Sequence, residues 1–412
     1  MQYNHFLIQL FFITFVLLGW TSCDSSNSPF PTDNIEPGTL GEVLYTKNIT
    51  LEETIDAVFQ KYGISDEMLG SYKPIVDMIK AFDIHYDASA ITYRTTTPNG
   101  QSVFASGMVY FPRSRKPLGV IEISPINKEK GGCGTKEYKM AEILPGMLGY
   151  ICLVPDLIGC GSTEELPIGY LQHQNAAVIS ADLRKAAQEF IAQHYQQELD
   201  EKSILFGYSL GGASIMSLAR YYQQNPSRNV TVKHVFAGGG AYYPRTIVKK
   251  QFESFYSEYA IIPNILLSMD FYDSLKLDFS KIFKGQLLAN YKSWCNGYMP
   301  VDKLTQQLGT DIRVYLTESF LNEYNTAQEY RLLMKSLDEK AIPEDWIPEA
   351  TIHLFHAKGD NYVPIESGNR IYNYLKETGA SIEYTTFEGS HLEGAVYMEF
   401  AFLKFLLNRH NL

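Results

Sequence analysis

The sequence has no concentration of basic side chains of the kind that binds nucleic acid. Its 412 residues include 35 Lys and Arg against 46 Asp and Glu, so the formal net charge is -11. Binding to a phosphate backbone requires a clustered Lys/Arg surface, which this sequence does not show. We therefore expect no nucleic-acid partner, and the acidity otherwise predicts only good solubility.

The usual patterns of metal ligands are also missing. Only five cysteines occur, no two of them have C-x-x-C spacing, and there is no H-E-x-x-H motif. These gaps argue against a metal site. No internal repeat is visible either. A chain of this length suffices for one α/β domain with a large insertion, or for two domains.

One apolar stretch near the N-terminus, FLIQLFFITFVLL (residues 6–18), is too short and too interrupted by polar residues for a membrane span. It suits the core of a signal peptide. Ser22 directly before Cys23 resembles the lipobox of bacterial lipoproteins, in which cleavage leaves a lipidated N-terminal cysteine. The pattern predicts a signal peptide over residues 1–23, lipidation at Cys23, and a membrane-anchored lipoprotein in the periplasm or at the cell surface.

Two features of the N-terminus differ from that pattern. Residues 1–5 contain no Lys or Arg, and Trp20 stands where lipoboxes usually carry a small aliphatic residue. An uncleaved anchor, or secretion without a lipid, therefore stays open. In each case the body of the protein is exported, and residues 24–40, rich in Ser, Pro and Asn, are expected to be a flexible tether.

The rest of the chain predicts an α/β fold, because short apolar runs alternate with amphipathic stretches. We expect a mostly parallel central sheet flanked by helices. Helices are expected over residues 41–82, 173–197, 365–377 and 392–407. Strands are expected over residues 90–97, 102–111 and 203–206 and within LGVIEIS, GYICLVPD, VKHVFAGGG, ATIHLFHA and SIEYTTFEG.

The alternation of strands and helices stops over residues 242–349. Helical stretches rich in aromatic and aliphatic residues take its place, which predicts a helical insertion between two parts of the core, residues 41–241 and 350–412. Its apolar content exceeds that of a solvent-facing excursion. We expect it to form a lid over an apolar pocket, with a passive packing domain as the alternative.

The stretch ILFGYSLGGASIMSLARYY places Ser209 between Gly207 and Gly211, after an apolar strand and before a helix. Such a sharp turn strains the serine backbone and exposes its hydroxyl, and it needs glycines where a Cβ would collide with neighbouring backbone. We interpret it as a nucleophile elbow rather than an ordinary Gly-rich turn. Ser209 is therefore the candidate nucleophile.

A serine nucleophile needs an imidazole to take its proton and a carboxylate to orient that imidazole. Asp360 follows one buried strand and His391 follows the next, so both lie at expected strand ends in the order Ser, acid, His. Rival acids nearby are Glu366, Glu388 and Glu393. Two other histidines, His353 and His356, lie in or at the end of a strand, where a structural role is favoured. Asp156 also lies at the end of an expected strand. It is either a structural turn residue or a site residue.

Together these residues resemble the α/β-hydrolase superfamily, and more narrowly the secretory lipase family of lid-bearing esterases. The resemblance runs over residues 91–405 and rests on ITYRTTTPNGQSVFASGMVYFP, PDLIGCGST, GYSLGG, AGGGAYYP and the Asp360 and His391 loops. It implies hydrolysis of small-molecule or lipid carboxylic esters through an acyl-enzyme, with no cofactor. The expected catalytic residues are Ser209, Asp360 and His391.

The oxyanion hole needs two N–H donors. The amide of Leu210, at the N-terminus of the helix after the elbow, is the expected first donor. The His-Gly type motif that many α/β-hydrolases carry after the third strand is replaced here by PINKEKGGCGTKE. The second donor must come from this loop. Asn127 is our candidate, because Pro125 has no N–H.

Similar secretory lipases carry a cysteine in the regions of Cys133 and Cys295, which suggests a disulfide that ties the insertion to the catalytic face. Cys160 is the competing partner for Cys133, and a reduced pair is equally compatible with the sequence. Cys152, inside an apolar strand, is expected to be a buried free thiol.

Two other function classes stay open. A peptidase of the same fold is one, although such enzymes typically carry a large extra domain before the core, for which the residues before Ile91 are too few. A catalytically silent α/β-hydrolase used for binding or adhesion is the other. All three triad residue types are present in order, whereas silent relatives usually lose one.

Overall fold

The computed structural model describes residues 35–70, 73–126 and 129–410, and its centre is a nine-stranded β-sheet. The strands are β1 (Leu40–Thr50), β2 (His85–Thr96), β3 (Ser102–Pro112), β4 (Val120–Ser124), β5 (Ile151–Pro155), β6 (Lys202–Tyr208), β7 (Thr231–Gly238), β8 (Thr351–Ala357) and β9 (Ile382–Phe387). Across the sheet they lie in the order β1-β2-β3-β5-β4-β6-β7-β8-β9.

The helices are α1 (Leu51–Tyr62), α2 (Asp66–Leu69), α3 (Lys73–Lys80), α4 (His173–Tyr195), α5 (Leu210–Gln224), α6 (Pro244–Ser254), α7 (Ile262–Tyr272), α8 (Phe279–Ile282), α9 (Gly285–Trp294), α10 (Val301–Leu308), α11 (Glu318–Glu323), α12 (Arg331–Glu339), α13 (Ile365–Glu377) and α14 (His391–His410). The expected strands from β2 to β9 and the helices α4, α13 and α14 are confirmed within a few residues of their ends.

The sheet is parallel from β5 through β4 and β6 to β9, while β1, β2 and β3 pair antiparallel with their neighbours. The chain runs from β4 outward to β5 and then returns to β6 on the other side of β4. Ligands of open α/β sheets bind at the carboxyl ends of strands where the strand order reverses in this way. The topology therefore places a candidate site where β4 and β6 end.

Both faces of the sheet are covered, which explains why β4 and β5 are apolar, fully buried runs. Helices α4, α5 and α13 pack on one face, and α1, α3 and α14 pack on the other. Successive residues of β6 show the division. Leu205 packs in the cluster with α5, while Phe206 stacks on Phe402 of α14 with ring centroids 4.8 Å apart.

The N-terminal part of the core differs from the expected helix over residues 41–82. Residues 40–50 form β1, an edge strand with irregular register against β2 and mostly exposed side chains. The helix begins only at Leu51, where the Thr50 side chain accepts a hydrogen bond from the Glu53 N–H. It ends at Gly63, whose φ of 64° is the left-handed conformation typical of a glycine C-cap.

Strands β2 and β3 form an antiparallel hairpin. Thr96 pairs with Ser102, and Gly100 in the connecting turn has φ 82°. This conformation favours glycine, which explains why Gly100 follows Asn99 in the turn.

Between β7 and β8 the chain forms the seven helices α6 to α12 and contributes no strand to the sheet. These helices bury an apolar cluster of their own, which includes Phe252, Phe283 and Phe320. Leu210 and Tyr362 of the core pack against the same cluster. The insertion is therefore in contact with the two loops that follow β6 and β8.

Within the described ranges, none of the helices combines the length and the apolar character needed to cross a membrane. The segments assigned from the sequence to a signal peptide and most of a tether, together with Cys23, lie outside the described residues.

Candidate active site

Ser209 lies in a sharp turn between the last residue of β6 and the first residue of α5. Its φ of 57° and ψ of -122° are unusual for a residue with a side chain, and its N–H donates to Gly238 O at 2.8 Å. Residues held in such conformations cluster at functional sites. The tight turn leaves the Ser209 hydroxyl at the end of the parallel strands.

The two glycines that flank Ser209 are required by close backbone approach. A Cβ on Gly207 would lie 2.4 Å from Gly211 O, and a Cβ on Gly211 would lie 2.2 Å from Ser124 O. Neither distance is compatible with a side chain. The G-x-S-x-G spacing is therefore explained by packing of strand, turn and helix on the end of β4.

The hydroxyl of Ser209 begins a chain of hydrogen bonds to two residues from distant parts of the sequence. Ser209 Oγ lies 2.8 Å from His391 Nε2, and His391 Nδ1 lies 2.6 Å from Asp360 Oδ2. A carboxylate only accepts, so Nδ1 carries the proton and Nε2 is free to accept from the serine. His391 and Asp360 are buried, while Ser209 is partly exposed.

Asp360 is fixed by the turn after β8. Its Oδ1 accepts hydrogen bonds from the N–H groups of Tyr362 at 2.9 Å and Val363 at 2.8 Å. With Oδ2 bonded to His391, both carboxylate oxygens have partners. These bonds fix the carboxylate so that its Oδ2 can orient the imidazole.

The rival acids contact other groups. Glu366 pairs with Lys250 at 2.7 Å, and Glu388 pairs with Lys358 at 2.6 Å. Glu393 accepts from the Ser390 N–H at 2.7 Å, at the start of α14. Asp360 is therefore the carboxylate that the structure brings to His391.

The imidazole of His391 is enclosed by two tyrosines that were not singled out in the sequence. The Tyr208 ring lies 5.0 Å from it and the Tyr362 ring 4.8 Å, measured between centroids. Tyr362 also packs edge-on against Tyr259 of the insertion, at 4.4 Å. In the sequence, the only indication of these contacts is that Tyr208 directly precedes Ser209 and that Tyr362 lies two residues after Asp360.

Of the expected oxyanion donors, the structure describes Leu210. Its N–H is the first of helix α5, where the leading N–H groups have no partner within the helix. The other candidate, Asn127, lies outside the described residues. Ser124 and Pro125, which precede it, pack against Gly211 at the elbow, so this loop starts beside Ser209.

Asp156 lies at the end of β5 and binds neighbouring backbone and side chains. Its carboxylate accepts from the Ser106 hydroxyl at 2.7 Å and from the Thr135 N–H at 3.3 Å, and the Thr135 hydroxyl also donates to it. Burial raises the pKa of this carboxyl above its usual range. These contacts tie β3 to the loop after β4. Of the two roles left open for Asp156, a structural residue or a site residue, they favour the structural one.

No disulfide joins any of the four cysteines within the described part of the chain, so the structure has no bridge between Cys133 and Cys295. Cys133 is buried beside Cys160, Ile168 and Tyr170, whereas Cys295 packs against the separate cluster of the insertion. Cys152 is a buried free thiol, as expected. Among the described residues, no group of three or more His, Cys, Asp or Glu is placed to hold a metal ion.

Comparison with known proteins identifies the fold. No family model and no curated protein sequence matches the chain. Several solved structures do match. One is a Legionella pneumophila protein provisionally classed as a hydrolase, with 21% identity and a TM-score of 0.72 over 88% of this chain and 97% of that one.

Two characterised neighbours have lower identity. The rice cell wall degrading esterase LipA from Xanthomonas oryzae is 16% identical, with a TM-score of 0.72 over 91% of this chain and 99% of its own. Candida antarctica lipase A is 14% identical, with a TM-score of 0.59 over 87% of this chain and 78% of its own. The chain therefore has the α/β-hydrolase fold, in an arrangement that it shares with lipase-like esterases.

Proposed function

We propose that this protein is an exported serine hydrolase that cleaves carboxylic esters through an acyl-enzyme. The observation that carries the proposal is the continuous hydrogen-bond chain from Ser209 through His391 to Asp360 at the end of the parallel strands. The order and geometry of these groups are those that activate a serine for acyl transfer.

In the first half of the reaction, Ser209 Oγ attacks the ester carbonyl carbon while His391 Nε2 takes the hydroxyl proton. Asp360 stabilises the imidazolium through the Nδ1–H bond. The oxyanion of the tetrahedral intermediate accepts hydrogen bonds from the Leu210 N–H and, in this proposal, from Asn127. His391 then gives its proton to the leaving alcohol, and the acyl group stays on Ser209.

In the second half, a water molecule takes the place of the alcohol. His391 Nε2 removes a proton from the water, which attacks the acyl carbonyl. The resulting intermediate expels Ser209 Oγ, and His391 returns the proton to it. The products are the carboxylic acid and the free serine, so the cycle needs no cofactor.

An apolar wall beside the proposed oxyanion hole supports an ester with an apolar acyl group. Leu210, Ile261 and Ile265 pack against a cluster formed by Cys133, Cys160, Ile168 and Tyr170. Ile265 belongs to α7 of the insertion. The insertion thus contributes side chains next to the expected acyl position, in keeping with a lid.

The esterase and lipase among the structural neighbours favour an ester over an amide as the substrate, whether a small molecule or a lipid. A peptidase of the same fold and a silent binding protein are the alternatives. The intact Ser209, His391 and Asp360 chain favours an enzyme over the silent protein.

The N-terminal sequence leads us to propose export and a lipid anchor at Cys23, which would hold the enzyme on a membrane in the periplasm or at the cell surface. Secretion without the lipid is the alternative. Metabolic labelling with a radioactive fatty acid distinguishes them, because Cys23→Ser should abolish incorporation if Cys23 carries the lipid.

Turnover of p-nitrophenyl esters from acetate to decanoate, measured beside an aminoacyl p-nitroanilide, tests the reaction class. An esterase cleaves the esters and leaves the anilide, a peptidase cleaves the anilide, and a silent protein cleaves neither. Labelling of Ser209 by a p-nitrophenyl alkylphosphonate, located by peptide mass spectrometry, identifies the nucleophile directly.

A further inference from the structure

A second histidine, His356, lies against the candidate acid of the triad. It is the penultimate residue of β8, and its side chain is fully buried. Its Nε2 lies 2.8 Å from Val363 O and 3.5 Å from Asp360 Oδ2. This is the same carboxylate oxygen that accepts from His391 Nδ1. Asp360 Oδ2 therefore lies between two imidazoles.

The hydrogen bond to Val363 fixes the tautomer of His356. A carbonyl oxygen only accepts, so Nε2 must carry the proton and point toward Val363 and Asp360. The other nitrogen, Nδ1, is buried with no hydrogen-bond partner. A Cβ added to Gly368 of α13 would lie 2.6 Å from it, so helix α13 closes off this side of the ring.

This environment keeps His356 neutral. A second proton on Nδ1 would be a buried donor without an acceptor. Burial lowers the pKa of His356, and the charge of His391 acts in the same direction, while Asp360 and Glu366 oppose it. A neutral ring donates to Val363 O beside Asp360 without adding a positive charge that would compete with the His391 imidazolium.

We propose that His356 is a positioning residue that acts through Asp360. Its Nε2–H holds Val363 O and faces Asp360 Oδ2, so it fixes the turn over residues 357–363 and keeps that oxygen directed at His391. The inference rests on the proposed function, because the positioning role of His356 matters only if the His391 imidazole that it helps to orient is catalytic. It does not place His356 in contact with the substrate.

Two substitutions separate this role from simple packing. His356→Gln keeps an amide N–H near the position of Nε2, whereas His356→Leu removes the donor and keeps an apolar side chain. Three measurements are made on each purified full-length variant. They are the fraction of sites labelled by a p-nitrophenyl alkylphosphonate, kcat per labelled site with KM, and the far-downfield NMR resonance of the His391 Nδ1–H proton bound to Asp360.

We expect His356→Leu to lose or shift the downfield resonance and to lower kcat per site about 10-fold to 100-fold, the range typical of residues that orient a functional side chain. KM should change little. His356→Gln should restore the resonance and most of kcat. If His356→Leu does not fold, His356→Asn replaces it, since its amide is too short to reach Val363.

The inference is overturned if the donor-lacking variant keeps the wild-type resonance and the wild-type kcat per labelled site, even when fewer sites are labelled. That result would mean that His356 only supports folding. The proposed function fails separately, if the wild-type protein neither reacts with the phosphonate at Ser209 nor turns over esters. In that case the resonance alone still decides whether His356 orients Asp360 and His391.

Discussion

The hydroxyl of Tyr208 donates a hydrogen bond of 2.7 Å to the backbone carbonyl of His391. Tyr208 directly precedes Ser209, so the strand that carries the candidate nucleophile also holds the backbone of its candidate base. Space for the tyrosine is made by glycines. A Cβ added to Gly394 would lie 2.1 Å from the Tyr208 hydroxyl oxygen, and a Cβ added to Gly239 would lie 2.8 Å from the same oxygen. One side chain thus links the backbone next to Ser209 to the backbone of His391.

Ser209→Ala should lower kcat for p-nitrophenyl butyrate by about four to six orders of magnitude, because the triad acts as a unit. The substitution removes only a hydroxyl group, so the thermal unfolding temperature should stay close to that of the wild type. Ser254→Ala, at an exposed helix end in the insertion, is the matched control and should keep full activity. Substantial turnover by Ser209→Ala would rule out the proposed nucleophile.

Asp360→Asn should lower kcat by about 10⁴-fold, since an amide in place of the carboxylate favours the wrong imidazole tautomer. Glu366→Gln breaks only an exposed pair with Lys250 and should leave kcat within about two-fold of the wild type. Steady-state kinetics at saturating ester compares the two. If Glu366→Gln were the inactive variant and Asp360→Asn the active one, the acid would be misassigned.

A histidine pair in the first halves of β7 and β8 is expected to make the stability of the fold sensitive to acid. His234 Nδ1 lies 3.2 Å from His353 Nε2, and His353 Nδ1 lies 2.8 Å from Glu383. Burial, together with the charge of His353, lowers the pKa of His234 to about 4 from 6.5. Between these pH values the unfolded chain binds a proton that the folded protein does not, so stability falls as the pH falls.

His234→Asn removes this titration and keeps an amide near Nδ1, so the free energy of unfolding should depend less steeply on pH between 6.5 and 4. The change cannot exceed about 1.4 kcal/mol per pH unit, and water beside this partly exposed ring reduces it. Urea unfolding at pH 7 and pH 5 measures the slope. His85→Asn, at an exposed histidine, is the control, and an unchanged slope for His234→Asn would contradict the expectation.

Ile265→Trp should shift the preference toward short acyl chains, because residue 265 and Leu210 pack against the same apolar cluster. We expect kcat/KM for decanoate to fall about 10-fold relative to acetate, as the larger ring fills space beside the scissile ester. Phe271→Trp, on the exposed side of the same helix, should leave the ratio unchanged. An equal fall in kcat/KM for esters of every acyl length would show that α7 does not line the acyl site.

The thiols of Cys133 and Cys295 should be free in peptide maps of the non-reduced protein. Burial raises the pKa of Cys133 to about 11 and that of Cys295 to about 12. Few thiolates then form at pH 8, so alkylation should be slower than for free cysteine until the protein is denatured, on the order of 100-fold at Cys133 and on the order of 1000-fold at Cys295. A linked peptide that contains both residues would show that the bridge suggested by the family resemblance does form.

Much of the core could be predicted from the sequence, because buried parallel strands and amphipathic helices leave strong patterns of apolar residues. Strand β1 could not. It lies at the sheet edge with most side chains in solvent and an irregular register, so it has no regular alternation to read. The helix expected from residue 41 was wrong for that reason.

The candidate triad could be predicted for a different reason. Each of its residues follows a recognisable strand, and the fold brings strand ends together. The surroundings of the triad could not be predicted in the same way. Tyr208 and Tyr362 contact His391, which is distant in the sequence, so no local pattern predicts these contacts. His356 contacts Asp360 and Val363 nearby in the sequence, but a histidine at the end of an apolar strand is ordinarily a structural residue.

Ser209 and His391 are separated by 182 positions in the sequence. During synthesis the candidate nucleophile therefore emerges long before the candidate base, with the whole insertion between them. A chain that has not released residues 391–412 has a serine without its proton acceptor. Such a chain has no competent triad. Under the proposed mechanism, the order of translation thus restricts ester cleavage to chains that include His391, and a truncation before this residue would remove activity while the sequence of the elbow is still present.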